Sequence, residues 1–468
     1  MSRINTNIAS MQARHTLTRN NNDLATRLQR LSTGLRINNG KDAPAGLIAS
    51  ETLRSEIAGI NQAIDNSTRA NNVINTAEGA LSEVSALLLE VQSLTNEAAN
   101  TGALSPQEIA ANQLQVDAIL NSINRIANTT QFNGVKLLNG ALDYTTSGVV
   151  STALDVVTIN AAKLPDNGST TVTVEVTASA QLANVNFTGA GIGSAPVTIE
   201  VAGVAGTEQL SFAASAATSA IAYAVNQLKD ATGVSAVANS AGVAFYSTAF
   251  GSDQFVTVRA ISGTFTTNTT TDYGVDAGVS INGTQASVKG LVASSRSGSL
   301  DVTVTLDAAF GQALGSTSFA VTGGGAKFQI GSEVNRQGQI NIGIQSLATT
   351  SLGDNVVGYL SSLSSGGTNS LTSGNTIQAQ KVISSAIRQV ATLRGRLGAL
   401  QKDVLETNIN SLSVTMENVT ASESAIRDAD FARETAALTR AQILVQANTS
   451  VLSQANSSPQ NVLALLQG

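Results

Sequence analysis

The chain has no cysteine, no tryptophan, a single histidine (His15), five prolines and 3% aromatic residues among 468. Without cysteine there can be no disulfide, no thiolate nucleophile and no Cys-ligated zinc or iron–sulfur site, and the redox state of the surroundings is immaterial. A lone imidazole excludes His-based zinc motifs and any catalytic triad that needs a second histidine. No uninterrupted apolar run approaches the roughly 20 residues needed to cross a bilayer. The opening stretch carries Arg3 but lacks the apolar segment of a cleavable secretory signal. Any route out of the cell is therefore expected to keep the N-terminus. A formal charge of −6 argues against a nucleic-acid binder, which presents a basic face.

Helical periodicity fills both ends. Ile4, Ile8, Met11 and His15 share one face, and Leu17, Leu24, Leu28, Leu31 and Leu35 continue an apolar stripe. His15, lying on that stripe, is read as a packing residue. Between Pro44 and Pro106, Leu53, Ile57, Ile60, Ile64, Ser67, Asn71, Ile74, Leu81, Val84, Leu88 and Val91 recur mostly at three- and four-residue steps. That spacing predicts one helix of about 50 residues, roughly 75 Å long. Helices in compact domains average about 11–12 residues, so the length implies a rod. At "SPQE", Ser105 fits an N-cap, Pro106 the first helical position and Glu108 the partner of a capping box.

Toward the other end, Val390, Leu393, Leu397, Leu400 and Val404 form one stripe, and Leu405, Ile409, Leu412, Met416 and Val419 form another. The phase shift between them predicts a drift of the buried face or a bend. Phe431, Leu438, Val445 and Leu452 then recur every seven residues, flanked by Ala437, Ala441, Leu444, Val451 and Ala455. This is a coiled-coil-like seam, with Asn448 as a polar interruption able to fix register. Val462, Leu463, Leu465 and Leu466 extend it through a final dodecapeptide without a charged side chain. Chain ends fray and are usually polar, so an apolar end needs a surface to bury it. The two extremities are natural partners, and neither carries enough core to stand alone.

From 141 to 326 the texture changes to Thr, Ser, Val, Gly and Ala, with strand-like alternation in "TTVTVEVTA", "APVTIEVAG", "FVTVRAI" and "LDVTVTLDA". One clear helix, "SAIAYAVNQLKDATG", interrupts it, and "TFTTNTTTD" (residues 264–272) reads as a loop. The expected fold is therefore an α+β multidomain chain: a long α-helical coiled-coil rod formed by both chain ends, with a β-rich inserted outer region of one or two subdomains.

Signs of catalysis are weak. "GLRINNGKDA" imitates a phosphate loop, but the glycine spacing is one residue too long and Asp42 follows Lys41 where Ser or Thr is required. "RDADFARE" could suggest paired carboxylates or metal ligands, yet its spacing fits helix-surface ion pairs at a packed junction. No catalytic residue, cofactor or metal is expected, and the chain is not expected to be an enzyme.

The terminal segments resemble the bacterial flagellin family. The resemblance rests on "INTNIASMQA", "LQRLSTGLRINNGKDAPAGLIASETLRSEI", "TQFNGVKLLNG" and "AIRDADFARETAALTRAQILVQANTSVLSQANSSPQNVLALLQ". It covers roughly the first and last 140 residues, and "KFQIGSEVNRQGQINIGI" looks like the segment that re-enters the rod. It implies a structural subunit of an extracellular filament used for swimming. The organisation expected is a core helix at 1–43, rod helices at 44–140, the variable insertion at 141–326, the rest of the rod at 327–424 and a second core helix at 425–468. The resemblance also implies terminal helices that fold on assembly. Export would run through the flagellar type III channel, with an export chaperone, a filament cap protein and hook–filament junction proteins as partners. Nucleic acid and membrane insertion are not implied. Inter-subunit and core packing falls to the stripes above from Ile4 to Leu35 and from Phe431 to Leu466, and rod packing to Leu53–Val91 and Leu393–Val404. A hook–filament junction protein of the same family is the alternative, and the insertion could add adhesion. At Glu90, enterobacterial relatives carry an arginine that helps bind the vertebrate flagellin receptor. The charge reversal implies weakened receptor activation.

Overall fold

The computed structural model describes residues 6–165 and 168–466, with side chains through residue 457. Helix α1 spans Ile8–Thr33, α2 Pro44–Ala98, α3 Pro106–Thr129, α4 Thr218–Gln227, α5 Thr376–Ala399, α6 Thr407–Arg427 and α7 Phe431–Leu466. Their ends fall where the sequence supplies caps. Asn7 Oδ1 accepts from Ser10 N at 2.9 Å at the start of α1, and Gly34, at φ 72°, stops it with its N–H donating to Arg30 O. At α3 the capping box closes as expected: Ser105 Oγ accepts from Glu108 N, and Glu108 Oε2 accepts from Ser105 N at 2.7 Å. The long apolar stripe forms one helix of 55 residues.

The chain divides into two compact units, residues 1–68 with 329–338 and 405–468, and residues 69–328 with 339–404. These limits differ from those expected from sequence texture near 43, 140, 326 and 424. Texture reports helix against strand, whereas compactness follows which faces pack, and α2 belongs to both units.

In the first unit, α1 runs antiparallel to α7, and the start of α2 runs antiparallel to α6. Ser50 Oγ donates to Glu423 Oε1 at 2.9 Å, Arg427 Nη1 pairs with Glu51 at 3.0 Å, and Asn408 Nδ2 donates to Ser67 Oγ at 3.3 Å. Ile60 and Ala63 are buried, while Leu53, Ile57 and Ile64 are half-buried. The segment 329–338 lies so close to Gly59 that a Cβ there would meet Ser332 O at 2.9 Å.

The second unit holds a helical layer and two β cores. The rest of α2 contributes Leu81, Val84, Leu88 and Val91, all buried, against buried Val116, Leu120 and Ile123 of α3 and Val390, Leu393 and Leu397 of α5. Polar ties fix the layer: Arg394 Nε donates to Glu78 Oε1 at 2.8 Å, and Gln113 Nε2 donates to Leu363 O at 2.8 Å.

Of the β cores, the first pairs a five-stranded antiparallel sheet centred on Thr170–Ala178 with a four-stranded sheet containing Leu154–Ala162 and Leu300–Leu306. Val172, Val174 and Val176 point into it with Val302, Val304 and Phe319, as period-two alternation requires. The second joins a three-stranded sheet (Asn184–Thr188, Gly242–Ser247, Val234–Asn239) to a four-stranded one built around Val197–Gly203, with α4 packed on them. Phe245, Ile199 and Ile221 fill that core, and Phe187 stacks on Phe265 at 4.0 Å. The insertion thus has two cores. Its expected single helix is split into Thr218–Gln227 and a turn at Lys229–Thr232, a further turn forms at Ala308–Gly311, and the expected loop ends in a short strand, Thr271–Tyr273.

A π-helical stretch, Leu400–Glu406, separates α5 from α6. It holds one residue too many for an α-helix, and this is the source of the phase shift between the two stripes. It also corrects the rod assignment. Val404 is 38% exposed, Leu400 is half-buried, and Leu405 is fully buried in the place expected for Val404.

Candidate assembly interface

The terminal pair of helices is the region whose chemistry the fold leaves unfinished. Its geometry starts at the two links that feed it. After Gly34 the chain pairs with the break between α6 and α7: Arg36 N donates to Arg427 O at 2.7 Å, and Ala429 N donates to Gly34 O at 2.9 Å. Asp430 caps α7, accepting from Ala432 N and Arg433 N at 3.0 and 3.1 Å. The motif resembling a phosphate loop is held as a turn by Asp42, whose Oδ2 accepts from Asn39 N at 2.9 Å and Asn38 N at 3.1 Å. The Asn39 hydrogen bond is the main cause that holds the Asp42 carboxyl below its ordinary range.

Polar ties mark both ends of the α1–α7 pairing. Asn7 Nδ2 donates to Ala455 O at 2.7 Å, and Ser10 Oγ to Asn456 Oδ1 at 2.6 Å. At the opposite end Arg27 Nη1 bonds both Glu434 oxygens, at 3.1 and 3.0 Å, and Arg30 Nη1 approaches Oε1 at 3.3 Å. Burial pushes the Glu434 carboxyl upward. The hydrogen bond and charge of Arg27, with those of Arg30, outweigh it and leave the pKa below the ordinary value. Glu434 thus corrects the reading of "RDADFARE" as local helix-surface pairs: its partners are Arg27 and Arg30 of α1, and it is buried between the helices.

Between these ties the seam is thin. Ala13 and Ala441 are its buried apolar residues, at 6% and 2% exposure, among the described residues of α1 and α7. Leu17, Leu24, Leu31 and Leu35 are half-buried, as are Leu438, Val445 and Leu452. The other expected packing residues stand in the open: Ile8 at 57%, Phe431 at 66%, and Met11, Leu28, Leu444 and Val451 likewise exposed. His15 is exposed too, which corrects its reading as a packing residue. Ile4 lies outside the described residues, as do the side chains of Val462, Leu463, Leu465 and Leu466. Sequence reasoning missed Ala13, Glu434 and exposed Ile443. A search weighted to large residues on α1 passes over Ala13, whereas Ala441, expected in the seam, is buried.

Burying one such Leu, Ile or Phe side chain contributes about 1.5–3 kcal/mol. Among the described residues no group of three or more acidic or His side chains is placed to hold a metal, and no helix is long and apolar enough to cross a membrane. Glu90 is exposed on α2 beside exposed Leu89.

Comparison with known proteins agrees with this geometry. The bacterial flagellin N-terminal helical region matches residues 4–143, and the bacterial flagellin C-terminal helical region matches residues 380–466. A B-type flagellin of Pseudomonas aeruginosa is 31% identical over 99% of both chains. A flagellin of Salmonella rubislaw is likewise 31% identical, and flagellin D of Vibrio cholerae 30%, each over 99% of both chains. Helical ends that match at both termini, and relatives aligned over nearly the whole length, establish that the chain belongs to the bacterial flagellin family.

Proposed function

We propose that this structural subunit of the bacterial flagellar filament polymerises by coupled folding: α1 and α7 gain stable structure when copies of the chain stack and cover their exposed apolar side chains. The supporting observation is that exposure, with Ile8, Met11, Leu28, Phe431, Leu444 and Val451 exposed on the pair whose buried apolar residues are Ala13 and Ala441. Ordering about 40 residues at each end costs on the order of 1–2 kcal/mol per residue in backbone entropy. One helix partner cannot offset that. Several copies can, at roughly 25 cal/mol per Å² of apolar surface covered. A head-to-tail contact that does not close generates a helical filament.

The same reading makes 1–43 and 425–468 the filament core, 44–140 and 327–424 the rod, and 141–326 the outward part. It assigns the apolar C-terminal end, with Val462, Leu463, Leu465 and Leu466, to the core in the filament and to an export chaperone before it. Cap and hook–filament junction proteins are the partners at the two ends of the filament, which lies outside the cell. The role is structural rather than enzymatic. In receptor recognition, Glu90 is expected to weaken activation of the vertebrate flagellin receptor. A cell reporter answering this monomer as strongly as an enterobacterial one would contradict that.

The test of assembly uses Phe431→Asp and Val451→Asp. Both side chains are exposed, so the monomer should melt within about 0.5 kcal/mol of the parent while sedimentable filament disappears. Filament formation at the parental rate by both variants would refute the proposal.

A further inference from the structure

Helix α5, the strands Leu154–Ala162 and Leu300–Leu306, and the turn at 353–359 enclose an open groove of about 560 Å³ within the second unit. Small-ligand sites span about 300–1,000 Å³. Arg388 and Arg396 line the groove from α5, eight residues and therefore about 12 Å apart along the axis.

The two guanidiniums have no carboxylate of their own. Arg388 is exposed, and nothing pairs with it among the described residues. Arg396 Nη2 donates to the backbone oxygen of Asn160 at 2.8 Å. The residue is half-buried and lines the groove. Burial lowers its pKa, and Asp301 is the carboxylate that acts on it most strongly. Asp301 is already occupied, accepting from Asn160 Nδ2 and Arg296 Nε, each at 2.8 Å. The groove's own carboxylate, Asp354, is occupied as well. It accepts from Val356 N and Val357 N through Oδ1 and from Ser385 Oγ through Oδ2.

The walls of the groove carry both hydroxyls and small apolar side chains. Thr158, Thr303 and Thr305 stand beside Val156, Val292 and Val356. Hydroxyls suit sugar hydroxyls, and aliphatic patches suit the C–H faces of pyranose rings. Two arginines carried about two turns apart on one helix suit acidic groups on different sugars of one chain. We propose that this groove binds an acidic oligosaccharide, with a carboxylate at Arg388, a second at Arg396 and the intervening ring against the valines. Assembly through the terminal helices does not use these residues, so the two proposals fail separately.

The test titrates full-length monomer with tetragalacturonate at low ionic strength, with maltotetraose and inorganic pyrophosphate as comparisons. The expected result is saturable binding of tetragalacturonate that weakens with added salt, with no binding of maltotetraose. Arg388→Glu should weaken it by at least about tenfold without moving the thermal midpoint, because reversal of an unpaired surface charge acts on the ligand and not on the fold. Arg396→Met should weaken it comparably; should that variant misfold, Arg388→Glu alone decides. Absence of tetragalacturonate binding, equal binding of the neutral glycan, parental affinity in Arg388→Glu, or tighter binding of pyrophosphate would each overturn the proposal.

Discussion

The two β cores of the insertion and the pair of terminal helices solve burial in opposite ways. In the insertion, valines face inward at every second position, Thr and Ser face solvent, and Phe245 and Val174 are fully buried. In the terminal pair the fully buried apolar residues are small, Ala13 and Ala441, while the large ones are half-buried, as at Leu24 and Val445, or exposed, as at Ile8 and Phe431. The insertion buries its large apolar side chains within a single copy, whereas the terminal helices leave Ile8, Met11, Leu28, Phe431, Leu444 and Val451 exposed, the surface that the proposed assembly would cover. Apolar content alone would not separate them, since both regions are rich in it; the burial of the large side chains does.

That contrast can be broken most strongly by isolating its parts. A fragment of residues 141–326 is expected to melt cooperatively in calorimetry, and a mixture of 1–43 and 425–468 peptides to show no transition at micromolar concentration. A cooperative transition in the peptides would erase the distinction. Phe245→Ala comes next in size: it should destabilise the insertion by about 3–5 kcal/mol and leave sedimentable filament intact below its melting temperature.

Glu434→Gln should cost about 1–3 kcal/mol at neutral pH, because Arg27 and Arg30 lose their shared acceptor. The sign of the pH effect follows from a folded pKa held below the ordinary value of 4.5. The stabilisation is present in full above 4.5 and is lost as pH falls through the lower folded value. Filament dissociation measured against pH should therefore steepen in acid in the parent and less so in Glu434→Gln. The smallest effect is expected from deleting Val404. Removing the surplus residue of the π-helical turn brings Leu405, Ile409, Leu412, Met416 and Val419 into phase with Leu397, so stability and assembly should change little. Deleting Arg394 instead should abolish both, since it rotates the C-terminal helices by about 100° against their partners.

Much of this was legible in the sequence. The 55-residue helix, the Ser105–Glu108 capping box and the strand alternation were readable because they depend on local spacing. What escaped depends on partners far along the chain. Alternation tells which face of a strand is buried but not which other strand covers it, so the division of the insertion into two cores was left open. The Leu393–Val404 stripe continued by arithmetic through a turn that holds an extra residue, and so ran on to Val404, which is exposed, while Leu405, read as the start of the next stripe, is the buried one. Glu434 looked like one of several surface acids until two arginines some 400 positions away closed on it.

The measurement that reaches the central claim most directly is amide hydrogen exchange on the full chain, as dilute monomer and as assembled filament. Residues 8–33 and 431–456 should exchange rapidly in the monomer and slowly in the filament, while the insertion is protected in both. Slow exchange across both terminal helices in a lone molecule would contradict folding on assembly.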